Sequence, residues 1–147
     1  MINAKIDKKD LAKLAKKMEA LKKISRQEMS NELGKAAFDI VRLAKRSAPV
    51  DKSNLRNLIG LKLINTNQIE IFSNATYSAY VEFGTGARVN LTDMRELGIP
   101  DSYAAQFKGK GIKDVNLPAR PYFFSSARTG LQTLLKRLDN TINKATK

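Results

Sequence analysis

Few residues of this chain have the type and spacing to do chemistry. Asp93, Glu96 and Asp101 lie within one stretch of low periodicity, and three oxygen ligands of that kind suit Mg²⁺ if a fold gathers them. A metal-dependent nuclease is the reaction such a cluster implies. The strand-like Glu70-Ile71-Phe72 lacks the Glu-x-Lys pattern that would strengthen it. Glu82 is a lone acid between Val81 and Phe83, with no second carboxylate near it in sequence to share acid–base work. A structural role suits it better, through an ion pair to Arg88 or Arg120, or through the backbone of the turn that follows. Gly84-Thr85-Gly86 invites comparison with a phosphate cradle, but it has neither the Gly-Lys-Ser/Thr ending of a P-loop nor a dinucleotide fingerprint. It reads as a helix-ending turn that needs positive φ.

The chain has 147 residues with neither Cys nor His. Disulfides, thiolate or imidazole metal ligation, and Ser-His or Cys-His nucleophiles are therefore excluded. No catalytic residue, cofactor site or metal site is assigned. The net charge of +13 favours polyanions. Lys5, Lys8, Lys9, Lys13, Lys16 and Lys17 crowd the N-terminus and are the candidates for contact with DNA or another polyanion; the bland alternative is a solvated helix face. No apolar run reaches the ~18 residues of a membrane span, and no secretory leader pattern opens the chain, so no membrane partner is expected and synthesis in the cytoplasm is.

The elements that must position these residues follow from periodicity. Asp7 to Lys23 predicts a helix with Leu11, Leu14, Met18 and Leu21 in one stripe, expected to pack within the chain. Ser25-Arg26-Gln27-Glu28 has capping-box spacing and predicts a second helix, with Met29, Leu33, Ala36, Ala37, Ile40, Leu43 and Ala44 inward, ended by Pro49. Asp51 suits the cap of a short turn through Leu55. Strands are expected at 55–64 and 68–73, paired as an antiparallel hairpin with Leu61 and Leu63 matching Ile69 and Ile71. Residues 76–83 predict a short helix stopped by Gly84. Residues 87–117 predict a long loop arm, 121–124 an extended entry, and 125–144 a last helix with Ala127, Leu131, Leu134, Leu135, Leu138 and Ile142 on its apolar face. The fold class is α+β: a small, mostly antiparallel sheet packed by long N- and C-terminal helices. Residues 1–24 form a Lys-rich helical unit and 25–147 a single domain. Tyr77, Tyr80, Glu82, Phe83, Gly84, Arg120, Tyr122, Phe123 and Phe124 are the candidates for core packing or subunit contact, and the last three could also stack on bases.

Three blocks in this order carry a resemblance. Ala48-Pro49-Val50-Asp51-Lys52-Ser53-Asn54-Leu55-Arg56, Tyr77 to Thr85, and Pro118 to Ala127 resemble the tail-component or head–tail joining family of tailed phages, similar to minor tail protein Z of lambda-type phages. Lys52-Ser53 departs from the Thr-Gly usual there, and the lysine-rich first helix is less typical. The resemblance implies a non-enzymatic virion protein of the neck or upper tail. It further implies a homo-oligomeric ring, a hexamer, around the DNA channel, with other phage neck and tail proteins and DNA as partners. Tail completion, tail termination and head closure all remain open as its layer. A free-standing nucleic-acid-binding module built on the basic helix is the alternative.

Overall fold

The computed structural model describes residues 8–23, 26–50, 54–108 and 116–145. Its order is α1 (Lys8–Lys23), α2 (Arg26–Ser47), α3 (Asn54–Asn57), β1 (Ile59–Asn65), β2 (Gln68–Ser73), α4 (Ser78–Phe83), a 3₁₀ turn (Gly86–Arg88), α5 (Leu91–Glu96), α6 (Asp101–Ala104), a second 3₁₀ turn (Ala105–Lys108) and α7 (Phe123–Ala145). The class is α+β, with a two-stranded antiparallel sheet between long helices. Lys5, Asp7, Ser25 and Asp51 lie outside the described residues, and so do the caps expected at Ser25 and Asp51.

The frame of the domain is the pairing of α2 with α7, which pack most extensively. Small residues permit it. Ala36, Ala37 and Ala44 of α2 are buried, and a Cβ at Gly130 of α7 would fall on the Ile40 side chain. The helices run antiparallel, since Ile40 meets Gly130 while Arg26, Met29 and Leu33 share a cleft with Leu134 and Leu138. Asp39 joins them by an ion pair to Arg137 at 2.8 Å and also holds Arg42 at 2.8 Å.

The inward stripe of α7 differs from the leucine face expected. Ser126, Gly130 and Leu134 point inward at i, i+4 spacing, whereas Leu131, Leu135 and Ile142 are at least 41% exposed. Close approach to α2 selects the small side chains and turns the leucines outward. Likewise Leu11, Leu14 and Met18 of α1 stay more than half exposed, although α1 packs against α7. The intramolecular cover expected for that stripe is not met among the described residues.

The first strand begins at Ile59 rather than 55, since Asn54–Asn57 form a helical turn that buries Leu55. The hairpin register agrees with expectation: Leu61 faces Ile71 and Leu63 faces Ile69, with an irregularity between Leu63 and Asn65. At its base Ile59 joins Ala44, Ala48, Leu55, Ala75 and Tyr122 in the main core.

The 87–117 connection is not a bare loop over its described part. Three short helical segments follow Val89, and Met94, Ala104 and Phe107 bury against Phe83 to make a second core. The stretch hides its periodicity because each helix is only four to six residues long, shorter than any window in which an apolar stripe repeats. Residues 109–115 lie outside the described residues.

Candidate assembly site at the Glu82 junction

All three sequence blocks meet in space. Pro49 and Leu55 from the first, Tyr77, Tyr80 and Val81 from the second, and Pro118 and Arg120 from the third, with Leu117 just before it, line one open cleft of about 260 Å³. Beside it the extended segment 117–122 runs along 81–85. The Arg120 amide donates to the Val81 carbonyl at 2.8 Å, and the Thr85 amide to the Leu117 carbonyl at 2.9 Å. Thr85 Oγ1 accepts the Leu117 amide in return at 2.9 Å. Thr85 is therefore buried and bonded in both directions, a clasp that its place between two glycines does not advertise.

Glu82 is the centre of the junction. It is 5% exposed, and its carboxylate accepts three backbone amides from the start of α7. Tyr122 N and Phe123 N reach Oε2 at 2.7 and 2.9 Å, and Phe124 N reaches Oε1 at 3.0 Å. These are helix N-terminal amides with no partner inside the helix, and the helix dipole favours the negative charge. The ion pairs proposed with Arg88 or Arg120 are not formed, and the amides come from α7, forty residues on, not from the turn next to Glu82. The anion-binding capacity of this helix end is filled by the chain's own carboxylate, with both oxygens engaged.

The local sequence explains why a remote acceptor is needed. Helix α7 starts at Phe123, preceded by Pro121-Tyr122, so no Ser, Thr, Asp or Asn stands at its N-cap. Ser125 and Ser126, expected to open the helix, lie inside its first turns and donate back to the Pro121 and Tyr122 carbonyls at 3.1 and 2.6 Å. An apolar helix start lacking a cap is the one local sign that α7 needs an acceptor from elsewhere, and it does not name Glu82.

On the other side, α4 ends at Gly84 with φ 77° and ψ −176°. Only glycine adopts that conformation readily. The turn is thus the helix stop expected, not a phosphate cradle, and it directs Thr85 towards Leu117.

The aromatic candidates pack around this junction. Tyr122 is 1% exposed, Phe83 stacks on Phe124 with centroids 5.8 Å apart, and Phe107 contacts Phe83, Tyr80 and Tyr103. Phe123 and Phe124 meet edge to face at 5.6 Å. Tyr77 and Arg120 instead remain exposed at the mouth of the cleft. Asp93, Glu96 and Asp101 are not gathered: Asp101 pairs with Arg95 at 3.2 Å and Glu96 with Arg128 at 3.6 Å. Among the described residues no group of three acidic or other ligating side chains could hold a metal ion, and no helix is long and apolar enough to cross a membrane.

Burial pushes the Tyr122 hydroxyl above the ordinary tyrosine range; hydrogen bonds to Ser73 and Ser78 oppose the shift, and the Glu82 charge adds to it. Ser73 Oγ lies 3.3 Å from the hydroxyl. An unfolded tyrosine ionises near ~10 while the folded one stays neutral, so ionisation favours the unfolded chain. The stabilisation is complete below that pH and is lost as pH rises towards the folded value. Denaturant melts between about pH 9 and 11.5 should show stability falling more steeply in the parent than in Tyr122→Phe, by up to ~1.4 kcal/mol per pH unit. Equal slopes would count against a buried neutral Tyr122.

Residues 12–84 match the model of the family described as "Bacteriophage HK97-gp10, putative tail-component". The matched segment takes in most of α1, then α2, the hairpin and α4, and it ends on Gly84 at the junction. It thus includes much of the lysine-rich helix and stops short of the Pro118 block. Neither the curated proteins nor the solved structures contain a match. The family match supports a phage head–tail or tail-component family for this chain.

Proposed function

We propose that the protein is a structural part of the neck or upper tail of a tailed phage, a tail-completion protein akin to minor tail protein Z. It acts by assembly rather than catalysis, forms a sixfold ring around the DNA channel, and joins head to tail within the virion after assembly in the host cytoplasm. The observation that carries this proposal is the tail-component match over residues 12–84. The Glu82 junction supports it: the most chemistry-like residue of the chain is spent on locking α4 to α7, which makes a rigid building block. Tyr77, Arg120 and the exposed rim of the cleft are the contact points offered to neighbouring phage proteins. Electron microscopy and mass photometry of the purified protein should reveal closed rings of six copies. A strict monomer at every concentration would refute the ring.

A second reading rests on α1, where Lys8, Lys9, Lys13, Lys16 and Lys17 are all exposed. Here the basic helix would contact DNA, either in the channel or as a free-standing module. Removing residues 1–24 separates the two: the module loses DNA binding altogether, whereas the ring protein still assembles.

A further inference from the structure

Among the described residues the sheet of this domain has only two strands, so each strand pairs on one side alone. Helix α2 backs the hairpin, and Leu61, Ile69 and Ile71 are half-buried on that side. Among the described residues, however, neither β1 nor β2 has a third strand beside it, and at the base of the hairpin Asn74 N donates to Leu58 O at 3.0 Å. Isolated two-stranded sheets are marginal, and natural proteins shield open edges by charge, bulge or cover. Here the charges on the strands, Lys62 and Glu70, are of opposite sign, and exposed apolar side chains stand beside them. Leu63 is 64% exposed although it shares the inner face with Leu61, and Ile64 is 45% exposed.

The side chains identify what fits. Lys62 on β1 stands directly opposite Glu70 on β2, and both are exposed on the outer face. If a second molecule sets its β1 against this β2 in the same register, each Glu70 lies between two lysines and each Lys62 between two glutamates. Behind them the rows Leu61–Ile71 and Leu63–Ile69 continue as apolar rows. Opposite charges and matched β-branched or aliphatic pairs across strands are stabilising, while like charges in those places are not. A chain of net charge +13 repels its own copies over most of its surface, and this edge is a place where one copy offers the acid that another's base requires.

We propose that copies of this chain associate head to tail through their hairpins, β2 of one molecule pairing with β1 of the next to make one continuous antiparallel sheet. Rotation about an axis running along the strands leaves strand direction unchanged, so β2 and the incoming β1 are antiparallel, as β1 and β2 are within one chain. Such an interface joins two different surfaces and closes into a ring when the rotation divides a full turn. The proposal rests on the ring reading above and names the contact that makes the ring.

The absence of native cysteine permits a direct test. Protein bearing Lys62→Cys is mixed with separate protein bearing Gln68→Cys, Glu70→Cys or Phe72→Cys, and the mixtures are oxidised under conditions where rings are counted by mass photometry. Disulfide-linked dimers are expected in a mixture and not in either protein alone. In parallel, Lys62→Glu and Glu70→Lys should each weaken association about tenfold, and the double exchange should restore it, with circular dichroism unchanged. Rings that form normally yet give no linked dimers in any mixture, or that ignore the charge exchange, would overturn the hairpin interface and leave the ring standing. A monomer in all samples would overturn both.

Discussion

Glu82→Ala is expected to destabilise the domain by ~3–5 kcal/mol, because it orphans three amides at the start of α7 and leaves a hole at the junction. The size follows from geometry. Both carboxylate oxygens are used, the side chain is buried, and no side chain at the N-cap can take over. A domain of this size has ~5–15 kcal/mol to lose, so such a change takes a large fraction of the whole. Glu82→Gln separates charge from shape. Its amide oxygen keeps one acceptor, but its NH₂ faces an amide donor, and the favourable field of the helix end is gone. We expect Gln to lose ~2–3 kcal/mol, and Asp to do no better than Gln because its carboxylate falls one methylene short. Urea unfolding followed by circular dichroism gives the magnitudes. Hydrogen exchange gives the place: the amides of Phe123 and Phe124 should lose protection first. An alanine variant within about 1 kcal/mol of the parent would mean that Glu82 does not hold the helix.

Gly84→Ala should cost at least ~3 kcal/mol, and for two separate reasons. The backbone lies at φ 77° and ψ −176°, a region closed to residues with a Cβ. The space is also full. A Cβ there would sit 2.7 Å from Ala119 N, 2.7 Å from Arg88 O and 2.8 Å from Leu117 O, all of them backbone atoms that cannot swing aside. The segment 117–120 would have to move away, and with it the Thr85–Leu117 clasp and the approach of the first α7 amides to Glu82. Gly98 is the control. Its φ is 72°, yet nothing lies within 4 Å of its would-be Cβ, so Gly98→Ala should carry the conformational strain alone and cost ~1 kcal/mol. Thermal melts of the two variants side by side would show whether crowding, rather than φ, sets the difference.

The long helices, the hairpin register and the α4–Gly84 stop were legible in the sequence. Each is written in local terms: a repeat of 3.6 residues over several turns, an alternation of two around Asn65-Thr66-Asn67, and a glycine after a short helix. Local pattern failed where the partner decides. On α7 a row of leucines looked like the buried face, but α2 comes so close at Ile40 that the buried positions are Ser126, Gly130 and Leu134. Over 89–108 the helices are too short to show a period, and only their meeting with Phe83 reveals Met94 and Phe107 as core.

The sequence by itself determined that imidazole and thiol chemistry are absent, that the chain is strongly basic, and that Glu82 is an acid in apolar company with no local task. Tertiary structure alone decided the task. Forty residues separate Glu82 from the amides it holds, and no pattern of nearest neighbours encodes a contact of that range. It required α4 to end on Gly84, the 117–122 segment to lie along 81–85, and α7 to begin without a cap of its own. The first and last of these are local properties and the second is a tertiary pairing; the carboxylate becomes a helix cap only where all three meet.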